Sequence, residues 1–304
     1  MRTVLVTGVT GFLGFHLATH LATRGFHVVG STSRDAGLRV ATPGVERKVV
    51  LRLEGALDPG VVRGVDAVIH GAWDLRPGTL RANVEGTARL VEAARAAGVT
   101  HQVFMSTCSA HPAAVSEYGR GKLLAQQHVL RRGQAAVRLG LVIGPGGLFQ
   151  RLSDTVAHHR LVPLLDGGRG AMPVLALADF LQALGEIVER QLTGLFTLFN
   201  PDPVTLRDVV LAIARAAQRR SLLVPVPSSL LVGPLWLLGR VGITLPVSVD
   251  NVRGWRANLN VRDRSDLPAF VARALPLAEM VRAAREAALG TGANWRGRPE
   301  GLVT

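Results

Sequence analysis

The sequence contains very little of several residue types that define whole classes of protein. Among its 304 residues it has one cysteine, Cys108, one tyrosine, and aromatic side chains at only 5%. A single cysteine excludes an internal disulfide framework and fits a reducing compartment. The N-terminus enters an apolar run directly, without the basic start and cleavage site of a signal peptide, so we expect a cytoplasmic protein.

Charge of one sign is in excess, but it forms no pattern. The net charge is +13, and arginine supplies nearly all of it. The basic residues are scattered and are not interleaved with aromatic ones, as a single-strand binder would require. We therefore expect no nucleic-acid partner, no metal, and a general attraction for anionic substrates.

One stretch lacks charge altogether. Residues 221–239 are rich in leucine, yet Pro225, Pro227 and Pro234 would interrupt a spanning helix. We predict a loop that leads into a buried amphipathic helix, with no stable membrane insertion.

The N-terminal residues have the pattern of a strand, a glycine turn, a helix and a second strand within about thirty residues. An apolar run at 3–7 precedes Gly8, Gly11 and Gly14, and residues 15–24 then follow a helical period. The N–H groups and dipole of a first helical turn hold a pyrophosphate, and glycine is needed where a side chain would block it. This predicts an α/β fold with a Rossmann-type, doubly wound parallel sheet.

The second strand lacks the acid that usually selects NAD. No Asp or Glu stands at 30–33, whereas Arg34 follows and can pair with a 2′-phosphate. We predict NADP as the preferred cofactor, with NAD as the alternative. Arg34 stacking on adenine or facing solvent is the other interpretation.

Tyr118 and Lys122 are four residues apart in a predicted helix and therefore share one face. An ammonium beside a phenol lowers the tyrosine pKa, so that the phenol can exchange a proton with a substrate while hydride moves. Ser106, Thr107 and Ser109 end the preceding strand, where ligands bind in an open parallel sheet.

The run Thr-Gly-x-Thr-Gly-Phe-Leu-Gly, Asn83-Val-Glu-Gly-Thr and the Tyr-Lys pair resemble the extended short-chain dehydrogenase/reductases, the NAD-dependent epimerase/dehydratase family. The resemblance implies Tyr118 as general acid/base, Lys122 on the cofactor ribose and Thr107 as the catalytic hydroxyl. The cofactor contacts expected from the motifs are Gly8, Thr10, Gly11, Phe12, Leu13, Gly14, Arg34, His70, Gly71, Ala72, Asn83, Ser106 and Lys122. His70 is also interpretable as strand-end packing, and Asn83 as a helix residue bonded to a loop.

Some positions depart from the family pattern. Thr107 and Tyr118 are closer in sequence than in typical epimerases, and Gln126 stands where an acid usually follows the lysine. No Asp-Glu pair follows Thr107, which argues against 4,6-dehydratase chemistry. We interpret Cys108 as structural.

The pattern predicts two parts. Residues 1–147 form the cofactor domain, whose sheet also takes later pieces around 171–200. Residues 148–304 form mainly a smaller C-terminal substrate-binding region, with a loose tail at 290–304. We also predict strands at 48–53 and 66–73, a helix at 81–97, an Asp179 helix cap and a Thr205 N-cap.

The predicted function is an NAD(P)-dependent oxidoreductase that reduces a carbonyl or oxidises an alcohol on a small molecule. A nucleotide-sugar fits the family, and the apolar stretch at 222–238 suits a hydrophobic ketone. An epimerase that retains NAD and a non-catalytic NADP sensor or assembly protein are the alternatives, and a homodimer is compatible with each. The candidate diphosphate partners are Arg138, Arg151, Arg160, Arg169 and Arg253.

Overall fold

A computed structural model describes residues 2–228 and 263–290, together with the single positions 253 and 257. Strands and helices alternate along most of this length. The strands are β1 Thr3–Thr7, β2 His27–Thr32, β3 Val45–Val50, β4 Ala67–His70, β5 His101–Thr107, β6 Ala135–Leu139, β7 Leu141–Ile143, β8 Leu161–Leu165, β9 Val174–Ala176, β10 Gly194–Leu198 and β11 Leu222–Val226. The helices are α1 Phe12–Thr23, α2 Leu80–Ala96, α3 Glu117–Arg131, α4 Gly147–His158, α5 Leu177–Glu189, α6 Leu206–Ala216 and α7 Leu277–Gly290.

Seven strands form one parallel sheet in the order β10-β6-β5-β4-β1-β2-β3. The strand order reverses between β1 and β4, because β2 and β3 extend the sheet on one side and the later strands extend it on the other. This confirms the predicted Rossmann-like, doubly wound sheet. The carboxyl ends of β1 and β4 border the crevice in which such sheets bind their ligands.

Helices cover both faces of this sheet. Leu17 of α1 and Ile187 of α5 are fully buried in the same cluster as Val6 of β1. On the other face, α2 and α3 pack against residues such as Phe104 of β5. Burial on both sides explains why the strands are continuous apolar runs rather than alternating ones.

A second group of elements follows residue 147. Two short parallel sheets, β7 with β9 and β8 with β11, pack with α4, α6 and α7 around a separate buried cluster that includes Phe149, Val209 and Met280. From the later pieces around 171–200, β10 lies in the central sheet and β9 pairs with β7. No helix in the described part of the chain is long and apolar enough to cross a bilayer.

Three local predictions were wrong. The third strand covers Val45–Val50, not 48–53. Leu222–Val226, predicted as a loop, is a strand because β8 offers it a pairing partner, and Pro225 is tolerated on this edge strand. Asp179 does not cap α5; it lies in the first turn and accepts a hydrogen bond from the backbone N of Leu275 at 3.3 Å. The predicted helix after 228 and the tail after 290 lie outside the described residues.

The Thr205 N-cap is confirmed. Its Oγ1 accepts from the Asp208 N–H at 3.1 Å, and the Asp208 carboxylate accepts from the Thr205 N–H at 2.9 Å. Thr205→Ala leaves one helix N–H unpaired, so we expect the free energy of unfolding to fall by about 1 kcal/mol. Urea denaturation measures this change, and Thr205→Ser should keep most of the stability. An unchanged midpoint in Thr205→Ala would contradict the capping role.

Candidate active site

The glycine turn between β1 and α1 brings the helix unusually close to the strand end. Gly8 has a left-handed φ of 79°, and a Cβ on Gly14 would lie 2.3 Å from the carbonyl oxygen of Gly8. Only glycine at position 14 therefore lets α1 start here. Gly11 is the N-cap, no side chain caps the helix, and Thr10 and Leu13 lie half-buried in the same turn. This uncapped helix N-terminus fits a pyrophosphate.

Thr7, which the motifs did not single out, joins the two strands that border the crevice. Its Oγ1 donates to the Ile69 carbonyl at 3.2 Å and accepts from the N–H groups of Gly71 and Ala72 at 2.9 Å each. A Cβ on Gly8 would lie 3.2 Å from the Cα of Ala72. The predicted contacts at Gly71 and Ala72 are thus brought against the glycine turn.

Phe12 borders the other side of the turn. A Cβ on Gly144 would lie 2.8 Å from Phe12 Cζ, and one on Gly147 would lie 3.0 Å from Phe12 Cδ1. The segment after β7 therefore passes directly over the start of α1. This contact places the beginning of α4 beside the predicted cofactor site.

Arg34 lies just beyond the end of β2, with its side chain exposed. Its guanidinium has no ion-pair partner among the described residues. Arg52 lies at the same edge, where its Nε donates to the Ser33 carbonyl at 3.1 Å and its guanidinium pairs with Asp35 at 3.3 Å. Two arginines at this edge, one of them unpaired, favour a phosphate ligand. Arg52 was not predicted from the motif.

The side chains of His70 and Ser106, both predicted to contact the cofactor, face away from the glycine turn. The His70 ring is buried, its Nε2 lies 2.9 Å from Gln102 Oε1, and burial lowers its pKa to about 4. The Ser106 hydroxyl is also buried and donates to Gln126 Oε1 at 2.8 Å. Both side chains lie on the face covered by α2 and α3. The structure therefore favours the packing interpretation of His70 and does not bring Ser106 to the glycine turn.

Asn83 supports a loop beside the crevice. Its side chain is buried in α2, where Nδ2 donates to the Asp74 carbonyl and Oδ1 accepts from the Asp74 N–H, both at 2.8 Å. These two bonds fix the chain just after Trp73. Asn83 is thus placed as the helix residue bonded to a loop, and it positions the site indirectly.

Thr107 and Tyr118 meet across the end of β5. Ser116 caps α3 by accepting from the Gly119 N–H at 3.1 Å, which places Tyr118 in the first turn. The side-chain hydroxyls of Tyr118 and Thr107 are hydrogen-bonded. Desolvation raises the pKa of the phenol, and the bond to Thr107 acts to lower it. Tyr118 as a whole residue remains 39% exposed, so a substrate can reach it.

Lys122 lies one turn further along α3 and is almost fully buried at 5% exposure. Its Nζ donates to the Met105 carbonyl at 2.7 Å and lies 4.2 Å from the Trp73 ring centroid and 4.8 Å from that of Phe104. Desolvation lowers the pKa of this amine to about 7. The Trp73 ring also packs edge-on against Tyr118 at 6.5 Å between centroids. The predicted pair shares one face, with an unpredicted tryptophan over it.

The phenol pKa therefore differs from the sequence-based expectation, which had Lys122 lowering it. In this arrangement the amine is turned towards Met105 and the two rings, and the phenol pKa is raised, not lowered. Cys108, beside Thr107, is partly buried, and desolvation raises the pKa of its thiol to about 12. It is therefore no thiolate nucleophile at neutral pH.

Behind the hydroxyl pair lies a polar network that the sequence did not reveal. Arg138 of β6 donates from Nε to Gln126 Oε1 at 3.1 Å and from a terminal nitrogen to Asp263 at 3.4 Å. Gln126 is the same side chain that accepts from Ser106. Asp263 thus supplies a carboxylate near the place where relatives usually have an acid at position 126.

The depressed pKa of Lys122 predicts a pH-dependent stability. The folded state binds this proton with a pKa of about 7, whereas the ordinary value is 10.5. From pH 7 upwards the unfolded chain holds more protons, so stability rises with pH by up to about 1.4 kcal/mol per unit. Above about pH 9, the raised pKa of the Cys108 thiol acts in the opposite direction.

Urea titrations at pH 7, 8 and 9 measure this slope. Lys122→Met keeps the buried aliphatic stem and should flatten the rise relative to the unaltered protein. Lys48→Met removes the other lysine, whose pKa desolvation lowers by a smaller amount, so it should flatten the rise less than Lys122→Met does. The same slope in Lys122→Met and in the unaltered protein would show that the amine is not desolvated.

Comparison with known proteins places the chain in a family. The model described as "NAD dependent epimerase/dehydratase family" matches residues 4–194. The 2-alkyl-3-oxoalkanoate reductase of Stenotrophomonas maltophilia is 30% identical over 243 residues, which are 68% of this chain and 73% of that protein. The dTDP-6-deoxy-L-talose 4-dehydrogenase (NAD(P)(+)) of Kitasatospora kifunensis is 32% identical over 216 residues, which are 58% and 65% of the two chains.

Among solved structures, MoeE5 in complex with UDP-glucuronic acid and NAD superposes with a TM-score of 0.66. It is 22% identical, with 94% of this chain and 99% of that chain covered. This likeness supports the fold, and the family match confirms the resemblance seen in the motifs. The glycine turn, the crevice at the β1 and β4 ends and the matched range together show that this chain belongs to the NAD-dependent epimerase/dehydratase family.

Proposed function

We propose that this protein is an NADP(H)-dependent reductase of a ketone on a substrate with an apolar chain. The observation that carries the proposal is the hydrogen-bonded pair Thr107 and Tyr118, with Lys122 on the same helix face, at the carboxyl edge of the sheet. The similarity to a 2-alkyl-3-oxoalkanoate reductase supports reduction over epimerisation. Arg34, unpaired at the end of β2, supports NADP over NAD.

The described residues fit a dinucleotide. A Cβ at Gly14 would overlap the Gly8 carbonyl oxygen, and the positive φ of Gly8 favours glycine. The N-terminus of α1 offers N–H groups to a pyrophosphate. A bound nicotinamide supplies or accepts the hydride. Gly71 and Ala72, fixed by Thr7, keep the neighbouring strand end free of bulky side chains.

The protein's own contribution is proton control at the substrate oxygen. Tyr118 holds the proton on its phenol oxygen and donates it to the carbonyl oxygen. Thr107 is hydrogen-bonded to the same phenol. Its hydroxyl orients the substrate carbonyl oxygen and stabilises the negative charge that develops on that oxygen. The raised pKa keeps the phenol protonated at neutral pH, which suits the acid needed for reduction.

Lys122 and Trp73 act together in this site. An ammonium has three donors, and the Met105 carbonyl takes one of them. The other two can bind ligand hydroxyls, but at 5% exposure Lys122 is reachable only when Trp73 moves aside. We therefore assign Trp73 the role of covering the Lys122 ammonium until a ligand displaces the ring.

We propose that the region after residue 147 forms the part of the site that binds the substrate. The segment after β7 crosses over Phe12, so the elements that follow begin beside the crevice. A smaller substrate-binding part that closes over the cofactor domain, with its boundary near 147, is consistent with this placement.

A nucleotide-sugar is the second candidate substrate, because a relative 32% identical to this chain is a dTDP-6-deoxy-L-talose 4-dehydrogenase. Of the proposed diphosphate partners, Arg138 is already paired with Asp263 and Gln126. Arg151, exposed one turn into α4, remains available near the crevice. Reduction of dTDP-4-keto sugars, measured beside that of 3-oxoacids, separates the two candidates.

Tyr118→Phe tests the catalytic assignment. Removing the phenol hydroxyl should lower kcat for 3-oxoacid reduction by about 10² to 10⁴-fold, because the proton donor is lost. NADPH affinity, measured by calorimetric titration, should change less than about threefold, since the phenol is not a binding group. Full activity in Tyr118→Phe would overturn the mechanism. Cofactor binding without turnover of any carbonyl by the unaltered protein would favour the sensor alternative.

Arg34→Ala tests the cofactor assignment. Loss of one charged phosphate partner should weaken NADPH binding by about 10 to 100-fold, and NADH binding much less. Arg63→Ala, exposed in the segment that leads into the amino end of β4, is the matched control and should leave both affinities unchanged. Equal losses for NADPH and NADH in Arg34→Ala would contradict recognition of the 2′-phosphate.

A further inference from the structure

A basic cavity of about 340 Å³ lies where two helix-to-strand turns meet, between α4 and β8 and between α6 and β11. Three arginines and two histidines line it, and no acidic residue does. The lining includes His158, His159, Arg160, Arg219, Arg220 and Ser221. None of them belongs to the candidate active site.

The arginines of the basic cavity have no ion-pair partner among residues 2–228 and 263–290, whereas several exposed arginines elsewhere pair with a carboxylate. The Ser221 hydroxyl is buried in the same lining without a hydrogen-bond partner. Unpaired guanidinium groups beside an unsatisfied hydroxyl form a site for an anion with several acceptor oxygens, such as a phosphate.

The basic cavity is distant from the cofactor crevice. Gly147, at the start of α4, contacts Phe12 beside the glycine turn, and His158 ends this helix of twelve residues. A helix of that length spans about 18 Å. Arg160 therefore lies about one helix length from the glycine turn.

An apolar strip begins at the mouth of the basic cavity. Leu161 follows Arg160, Leu222 follows Ser221, and the two leucines are register partners in the β8–β11 sheet. Leu161 is 59% exposed and Leu222 65% exposed. Val224, 37% exposed, continues the strip two residues along.

The opposite face of this small sheet is buried. Val162 and Leu164 of β8 are each 2% exposed within the cluster that includes α4, α6 and α7. Side chains alternate along a strand, so the exposed leucines all project away from that cluster. The apolar strip therefore faces away from that cluster, and the basic cavity lies at the edge of this sheet where β8 and β11 begin.

We propose that the basic cavity and the apolar strip together form a surface by which this protein docks on bilayers that contain anionic phospholipids. The guanidinium groups bind headgroup phosphates, and the leucines enter the boundary between headgroups and acyl chains. A free phosphate compound would need the cavity alone and would leave the strip in water. The net charge of +13 draws the whole chain towards a negative surface.

Vesicle sedimentation tests the proposal. The full chain is mixed with vesicles of phosphatidylcholine alone or with an equal share of phosphatidylglycerol, in low and high salt. We expect pelleting only with the anionic vesicles, and its loss in high salt, because screening weakens the attraction. Equal pelleting with neutral and with anionic vesicles would contradict the role of the arginines in binding headgroup phosphates.

Two matched pairs of variants locate the surface. The triple variant Arg160→Gln, Arg219→Gln and Arg220→Gln should weaken binding by at least about 100-fold, at roughly fivefold for each charge. The control variant Arg47→Gln, Arg63→Gln and Arg131→Gln removes the same net charge from exposed positions elsewhere. It should retain most of the affinity. Equal losses in the two triple variants would show that net charge binds the membrane and would overturn the proposal.

The second pair addresses the apolar strip. Leu161→Thr with Leu222→Thr should reduce pelleting, whereas Leu195→Thr with Leu289→Thr, also exposed, should not. Circular dichroism and thermal unfolding check that each variant is folded. Titration with inorganic phosphate distinguishes a free phosphate ligand: phosphate binding without vesicle binding would overturn membrane docking. Dimerisation that depends on Leu161, in a protein that does not bind vesicles, would also overturn it. None of these readouts depends on enzymatic activity.

Discussion

The close approach of α1 to the end of β1 is the constraint on which the rest of the site depends. A single added methyl group at Gly14 would lie 2.3 Å from a backbone oxygen of Gly8, and one at Gly8 would press on Ala72. This close packing therefore restricts the N-terminus of α1, the glycine turn and the end of β4 to a single relative arrangement. Thr7 fixes it with three hydrogen bonds that join β1 to β4. The crevice for a dinucleotide follows from this packing rather than from any charged side chain.

Much of the fold and the core of the candidate site followed from short-range patterns. The glycine spacing, the Tyr118–Lys122 separation and the capping residue Thr205 each depend on contacts within one or two helical turns. The apolar runs of the central strands were readable because both faces are covered. Sequence reasoning therefore placed the helix that bears the tyrosine, and the structure brings its phenol to Thr107.

What could not be predicted depends on long-range partners. Asp263 pairs with Arg138, which is 125 positions away in the sequence, and no local pattern indicates that pair. The strand Leu222–Val226 forms because β8 offers it a pairing partner, although Pro225 within it and the prolines that follow suggested a loop. For Ser106, the sequence did not show which face of the sheet its side chain takes. Neighbouring residues of a strand face opposite sides, so Ser106 enters the α3 layer while Thr107, one position later at the strand end, reaches the phenol.

The electrostatics of the tyrosine–lysine pair follow from what surrounds Lys122. Beneath Trp73 the amine is desolvated, and an amine with a pKa of about 7 is only partly charged at neutral pH. A partly charged amine stabilises a phenolate weakly, which agrees with the raised pKa of Tyr118. If Trp73 moves and ligand hydroxyls reach Lys122, hydrogen bonds to the ammonium favour its charged form and raise its pKa. That added charge in turn lowers the phenol pKa, so occupation of the crevice would couple directly to the readiness of Tyr118 to exchange its proton.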